Sequence, residues 1–247
     1  MENTAYIALS RQGVLRRELD SIANNMANMN TTAFKSERMM FVEHLTKSKS
    51  GDFIADQRLA FVRDVASYTD FAEGPIQQTG NPLDVAIQGD GYFTLQAPDG
   101  TTQYTRNGSF RMDNGGQLVS QSGLPVLTDA GTPIFFAPED ASITIAGDGT
   151  VSSENGQLGK LNVVTFDDPY GLKREASGLY STDQLAIPKL DVQMSQGGLE
   201  GSNVSGILEM TRMIKVSRSY SSAQKMIDKE DERIRQAIRQ LATTSPS

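Results

Sequence analysis

Apolar positions at both ends of the chain recur with helical spacing. Leu15, Leu19, Ile22, Met26 and Met29 follow steps of 4, 3, 4 and 3. That alternation puts all five on one stripe of a helix, in the a/d pattern of a coiled coil. Asn28, Asn30, Thr31 and Thr32 come next, and such short polar side chains compete with helical backbone hydrogen bonds. The pattern predicts a helix that stops near Asn30 and hands over to an extended segment. At the other end Met213, Tyr220, Ile227, Ile234 and Leu241 recur every seven residues. Val216, Ala223 and Ala237 fill most of the intermediate positions, and Glu230 interrupts the row. No Gly or Pro falls between Gly206 and Pro246, so the spacing predicts a helix over Val204–Leu241, roughly 55 Å long. Asn203 is its candidate N-cap. A single striped helix cannot hide its stripe, and each end of the chain supplies a partner for the other.

The middle has a different texture. Twenty of the 22 glycines lie between Gly74 and Gly206, and eight of the nine prolines lie between Pro75 and Pro188. These residues break helices and mark turns. Short apolar runs such as Val85–Ile87, Tyr92–Leu95, Leu118–Val119 and Leu161–Phe166 alternate with Gly89-Asp90-Gly91, Asp99-Gly100, Asn107-Gly108 and Asn114-Gly115. Asn-Gly and Asp-Gly between such runs predict hairpin turns, because both central residues of a type I′ turn need positive φ. Residues 36–73 hold apolar side chains without a long period, and extended chain with short strands packed along the helices is expected there. The fold class read from this is α+β: paired N- and C-terminal coiled-coil-like helices with an antiparallel β-rich middle domain. Its parts are an N-terminal helix over 1–30, an extended linking segment over 31–75, a β-rich domain over 76–200 and a C-terminal helix over 201–247.

Charge and chemistry narrow the function. The formal net charge of −7 disfavours nonspecific nucleic-acid binding. It is unevenly spread, with an acidic middle and a basic last helix. No run approaches the length of about 18 apolar residues that a membrane span needs, so no membrane insertion is expected. The start lacks the basic and apolar regions of a cleavable secretory signal. Cys is absent and His44 is the single histidine, which leaves little for a nucleophile, a triad or a His-rich metal site. Gly89-Asp90-Gly91 lacks the third Gly and following helix of a dinucleotide loop. No catalytic, cofactor-binding or metal site is expected, and the chain is not read as an enzyme.

Several long stretches resemble the bacterial flagellar rod and hook proteins. One is I-A-N-N-M-A-N-M-N-T-T-A-F-K, from Ile22 to Lys35, which contributes Asn24, Asn25, Asn28, Thr31, Thr32 and Phe34. Another is T-G-N-P-L-D-V-A-I-Q-G-D-G-Y-F, from Thr79 to Phe93, which contributes Asn81, Pro82, Leu83, Asp84, Gly89 and Gly91. Y-T-R-N-G-S-F brings Arg106, Asn107 and Gly108, and Q-G-G-L-E-G-S-N-V leads into the last helix. The resemblance runs over nearly the whole chain in order. It is greatest to the proximal-rod members, with distal-rod or hook-type members as the alternative. Gly198 stands where the family often has an aromatic residue.

The resemblance implies a structural subunit of the rod, in the basal body where the rod crosses the periplasm. The subunit would assemble with itself and with other rod proteins into a helical tube that transmits motor torque. The terminal helices would form the inner layer of the tube and the β-rich middle an outer domain. It also implies export through the flagellar type III apparatus. Family members carry a Phe-x-x-x-aliphatic export motif, which Phe41 and Leu45 fit by spacing; an ordinary apolar pair fits as well. A periplasmic enzyme or an adhesin are the remaining readings.

Overall fold

The computed structural model describes residues 2–47, 58–138, 140 and 142–243, with side chains over 8–40, 67–138, 140 and 142–240. The chain divides into two compact units. The first comprises Met1–Ala27, Glu37–Asp70 and Ser205–Ser247, and the second Asn28–Ser36 and Phe71–Val204. No helix among the described residues is long and apolar enough to cross a membrane.

The first unit contains helix α1 (Glu2–Ala27), strands β1 (Glu37–Lys47) and β2 (Arg58–Thr69), and helix α2 (Gly206–Thr243). α1 packs against α2 and against both strands. It therefore buries two neighbouring stripes. Ile22 is buried on the stripe read from sequence, where Leu15, Leu19 and Met26 are half-buried. Val14, Ser21 and Asn25 lie on a second stripe, on which Val14 and Asn25 are buried and Ser21 and Asn25 bond to the backbone of Glu37. β1 and β2 pair antiparallel with a register shift between Met40 and Phe41. At 11 and 12 residues they exceed the short strands expected there, because neither contains a Gly or Pro to end the pairing.

Both helix boundaries differ from the sequence reading for local reasons. α1 ends at Ala27 rather than near Asn30. The Asn28 carbonyl accepts from Thr31 N at 3.1 Å and its side chain accepts from Thr31 Oγ1 at 3.1 Å, a turn that competes with the helical ladder. Met29 thus lies beyond the helix and is 43% exposed. α2 begins at Gly206, with the Ser205 carbonyl accepting from Glu209 N at 3.0 Å. The Asn203 amide lies three residues earlier; it accepts from Ser36 N at 2.7 Å and donates to Ala72 O at 3.0 Å.

The second unit is β-rich and antiparallel throughout. Its strands are β3 (Ile76–Gln78), β4 (Val85–Gln88), β5 (Tyr92–Gln96), β6 (Thr102–Thr105), β7 (Phe110–Met112), β8 (Leu118–Ser120), β9 (Ile143–Ile145), β10 (Thr150–Ser153) and β11 (Gly156–Lys160). They continue as β12 (Val163–Thr165), β13 (Lys173–Arg174), β14 (Leu179–Ser181), β15 (Ile187–Pro188), β16 (Gln193–Gln196) and β17 (Gly198–Glu200). The largest sheet has the order β13-β14-β6-β5-β12-β15, beside a three-stranded β11-β10-β9 sheet and the pairs β16-β4, β17-β3 and β7-β8. β5 is central and carries core on both faces. Phe93 and Leu95 enter the main cluster with Phe110, Leu118 and Val126. Tyr92 enters a second, aromatic cluster with Tyr104, Phe166 and Tyr180.

Asp99-Gly100 and Asn114-Gly115-Gly116 turn the hairpins β5–β6 and β7–β8 as expected. Two other turn signals do not close hairpins. Gly89-Asp90-Gly91 joins β4 to β5, which pair with different strands. Asn107-Gly108 joins β6 to β7, which likewise belong to separate sheets. At Gly108 the residue is required by close approach: an added Cβ would lie 1.8 Å from the Val85 carbonyl oxygen. The Gly108 carbonyl itself accepts from Val85 N at 3.0 Å.

Candidate functional site

The most concentrated chemistry lies within the β-rich unit, around one carboxylate. Glu200 ends β17 and is 3% exposed. Its carboxylate accepts from Lys35 Nζ at 2.6 Å, from Arg106 Nε at 2.5 Å and from Gly74 N at 3.0 Å. Lys35 and Arg106 are themselves 2% and 5% exposed. The other hydrogen bonds of both cations go to backbone carbonyls. Lys35 Nζ donates to Ala72 O at 2.8 Å. Arg106 donates to Gly91 O at 2.6 Å, Gly89 O at 2.6 Å and Ile87 O at 3.3 Å. The Gly89-Asp90-Gly91 turn is shaped for this: its glycines sit at φ 79 and 142, and a Cβ on Gly91 would meet Val163 Cγ1 at 2.6 Å.

Burial pushes the Glu200 carboxyl up, but the Arg106 charge and the hydrogen bonds from Lys35, Arg106 and Gly74 outweigh it and hold the group below its ordinary value. Three stretches far apart in sequence meet here. Residues 28–36 are held further by Ala33 N donating to Glu200 O at 2.8 Å and by Asn203 N donating to Phe34 O at 3.2 Å. The Arg174 guanidinium lies 4.3 Å above the Phe34 ring. Three buried donors hold both oxygens of this carboxylate, and its chemistry is that of a clamp.

The other motif residues serve the backbone too. In Asn81-Pro82-Leu83-Asp84 the buried Asp84 accepts from Thr79 Oγ1 at 2.7 Å and Asn81 Nδ2 at 3.0 Å. Leu83 packs partly against the main core. The Asn107 side chain accepts from Ser109 N at 3.0 Å. Asn25, 1% exposed, donates to Glu37 O at 2.9 Å and accepts from Glu37 N at 2.9 Å, so its amide pairs with that residue as a strand neighbour would. Asn25→Ala is expected to lower the stability of the helix-containing unit by about 1–3 kcal/mol, since Glu37 N loses its acceptor and Glu37 O is left with the Ser21 hydroxyl. Urea unfolding followed by helical ellipticity measures this, and an unchanged midpoint would remove Asn25 from the account. Asn24 and Thr31 are exposed, and Asn28 and Thr32 are half-buried.

On α2, Val216 and Ala223 are buried, while Met213, Tyr220 and Ile227 are half-buried. Glu230 continues the same row half-buried, in an ion pair with Arg233. From 231 to 240 every residue is exposed, Ile234 at 47%. α1 has 26 residues and α2 has 38, about 39 and 57 Å, so the last turns of α2 outrun their cover. The side chains of Leu241, Phe41 and Leu45 lie outside the described residues; in backbone register Phe41 faces Asp64 and Leu45 faces Ala60.

The clamp of Lys35, Arg106 and Glu200 is not legible as a unit in the sequence, although all three stand in the motifs. The available signal is a lone charge in each of three otherwise turn-like or apolar stretches.

Known proteins match nearly the whole chain. The family described as "Flagella basal body rod protein" matches residues 6–35. "Flagellar hook protein FlgE/F/G D1 domain" matches residues 86–153, and "Flagellar basal body rod FlgEFG protein C-terminal" matches residues 195–240. The flagellar basal-body rod protein FlgF of Caulobacter vibrioides is 40% identical over 98% of both chains. The chain belongs to the flagellar basal-body rod protein family. The FlgF of Mesorhizobium japonicum is 33% identical over 99% of this chain and 100% of that one. The rod protein FlgG of Borreliella burgdorferi is 34% identical over 94% and 96%. The family matches contain the clamp residues: Lys35 falls in the first, Arg106 in the second and Glu200 in the third.

Proposed function

We propose that this chain is a structural subunit of the bacterial flagellar rod, located in the basal body, and not an enzyme. The full-length match at 40% identity to a FlgF relative favours the FlgF type, the proximal rod, over the distal-rod FlgG type. The observation that carries a self-assembling role is the apolar surface of α2. Ile207, Met210 and Ile214 are 80%, 55% and 50% exposed at its start, and Ile234 and Ile238 are 47% and 60% exposed near its end. A helix that buries one row and leaves others uncovered along its length is built to add neighbours.

In this reading α1 and α2 pair as a coiled coil along Leu15, Leu19, Ile22 and Met26 and the Met213–Ile227 row, and subunit packing extends the seam to Met29, Ile234 and Leu241. Residues 1–30 and 201–247 form the inner layer, 76–200 the outer domain and 31–75 the link between them. Copies of this chain and of other rod proteins are its partners. The type III export apparatus is a further partner, for which Phe41 and Leu45 are the proposed motif. Non-closing contacts between unlike surfaces generate a helical tube, and many buried rows acting together resist torque.

A tag inserted in the exposed β10–β11 turn, between Glu154 and Asn155, is expected to appear as a band on the rod axis in images of isolated basal bodies. Its absence from basal bodies that still carry a complete rod would sink the reading.

A further inference from the structure

We propose that Asn114 is a site of spontaneous deamidation, singled out by the fold from three Asn-Gly pairs, and that the carboxylate of Asp113 holds its rate down.

The sequence has Asn-Gly at 107–108, 114–115 and 155–156. Such a pair rearranges without an enzyme. The glycine nitrogen gives its proton to hydroxide and bonds to Cγ of the asparagine. The Cγ–Nδ2 bond breaks, and Nδ2 leaves as ammonia with a proton from water. The five-membered imide then takes up one water at either carbonyl. Opening at the new N–Cγ bond leaves an aspartate; opening at the original peptide bond leaves an isoaspartyl link through Cγ. Glycine favours the first step because no Cβ hinders its nitrogen or restricts the backbone rotation that closes the ring. By sequence the three pairs rank alike.

The fold separates them. The Asn107 carboxamide oxygen is held by Ser109 N at 3.0 Å. Gly108 is buried, with its carbonyl bonded to Val85 N and no room for even a Cβ beside Val85 O, so the backbone there cannot rotate. Asn155 Nδ2 donates to Asp140 Oδ1 at 2.8 Å, and Gly156 opens β11 opposite Ser153 in the β10–β11 ladder. Asn114 differs in each respect. It is exposed, and its carboxamide has no hydrogen-bond partner among the described residues. Gly115 is exposed too, lies between β7 and β8 rather than in a strand, and is followed by a second glycine. One restraint remains: Asp113 Oδ1 accepts from Gly115 N at 2.8 Å and from Gln117 N at 2.8 Å. A hydrogen bond to a carboxylate favours the N–H form over the nitrogen anion that attacks, so the reaction waits for this bond to open. Solvent-exposed backbone bonds in a loop are among the first to do so.

The turn carries structure that the product disturbs. Gly116 O accepts from Phe136 N at 2.7 Å, and a Cβ on Gly116 would lie 2.4 Å from Phe136 O. An isoaspartyl link at position 114 adds a methylene to the backbone of this closely packed turn, and either product adds a negative charge beside Asp113.

The full-length protein is incubated folded and in urea, in neutral and in mildly alkaline buffer. Peptide mapping by mass locates each conversion of amide to acid, and chromatography splits the aspartyl and isoaspartyl forms. In urea the three pairs are expected to react at similar rates. In the folded protein Asn114 is expected to convert about tenfold faster than Asn107 or Asn155, the factor that one intact hydrogen bond supplies, and faster still at the higher pH. Asp113→Ala is expected to speed conversion of Asn114 about tenfold and leave Asn155 unchanged, while Gly115→Ala slows Asn114. Asp113→Asn keeps an acceptor without the charge; it replaces Asp113→Ala if that variant loses the tyrosine near-ultraviolet signal, with a smaller speed-up expected. Equal rates at the three pairs in folded protein, or faster conversion at Asn107 or Asn155, overturn the selection. A rate at Asn114 that stays the same or falls in the Asp113 variants overturns the hold.

Discussion

Replacing Glu200 by Gln is expected to lower the stability of the β-rich unit by about 3–5 kcal/mol, among the largest effects of any single substitution outside the cores. Gln keeps the shape and one acceptor but removes the carboxylate charge that both Lys35 and Arg106 are bonded to, each of them nearly inaccessible to water. Two cations then share a site of low polarity, and neither can turn to solvent without giving up its bonds to Ala72, Gly89 and Gly91. The near-ultraviolet signal of the Tyr92, Tyr104 and Tyr180 cluster follows this unit during urea unfolding. A loss under about 1 kcal/mol would mean that water screens the clamp after all.

The pH dependence adds a second check. The folded Glu200 carboxyl is held below its ordinary value of 4.5. Its stabilisation is therefore fully present above about pH 4.5 and is lost as pH falls through the lowered folded value. The gap between wild type and Glu200→Gln should shrink over that acid range, because the wild-type carboxylate becomes neutral too. A gap that stays constant with pH would assign the damage to shape rather than charge.

What could be read from the sequence follows from what each pattern encodes. A heptad row is local, so Met213, Val216, Tyr220, Ala223 and Ile227 stand out as one stripe from their spacing alone. How far that stripe is covered depends on where α1 stops, and α1 stops at Ala27 because of a side-chain turn at Asn28 and Thr31. The second stripe of α1, through Val14, Ser21 and Asn25, contains two polar residues and so carries no apolar period. Its burial comes from Glu37, which offers a donor and an acceptor to Asn25. Turn dipeptides likewise encode local φ but not strand partners. Asp99-Gly100 closes a hairpin, while Gly89-Asp90-Gly91 turns its carbonyls to Arg106 and Gly108 lets two chain segments touch. The clamp is out of reach of local patterns for the same reason: its ion pairs join residues 165 and 94 positions apart. The resemblance to a family points at these motifs as important, and only the fold ties them to one carboxylate.

Val216→Asp and Ile234→Asp separate what the sequence treats as equal. Both residues lie on the same a/d seam, yet Val216 is 5% exposed and Ile234 47%. A carboxylate at 216 would be enclosed in the packing of α2 with no cation on the row to meet it. The cost of burying it unpaired is several kcal/mol, about 3–5 or more unless the group takes up a proton. Val216→Asp is therefore expected to melt α1 and α2 together in dilute protein, seen as a drop in ellipticity at the helical minimum while the tyrosine signal of the β-rich unit persists. Ile234→Asp places its carboxylate in water on the uncovered turns, where surface substitutions stay within about 0.5 kcal/mol. It should leave the monomer's melt unchanged and prevent polymer formation at concentrations that suffice for the wild type. Equal destabilisation of the dilute protein by the two variants would mean that the row is covered to its end. Equal indifference would mean that α1 and α2 do not pack along it at all.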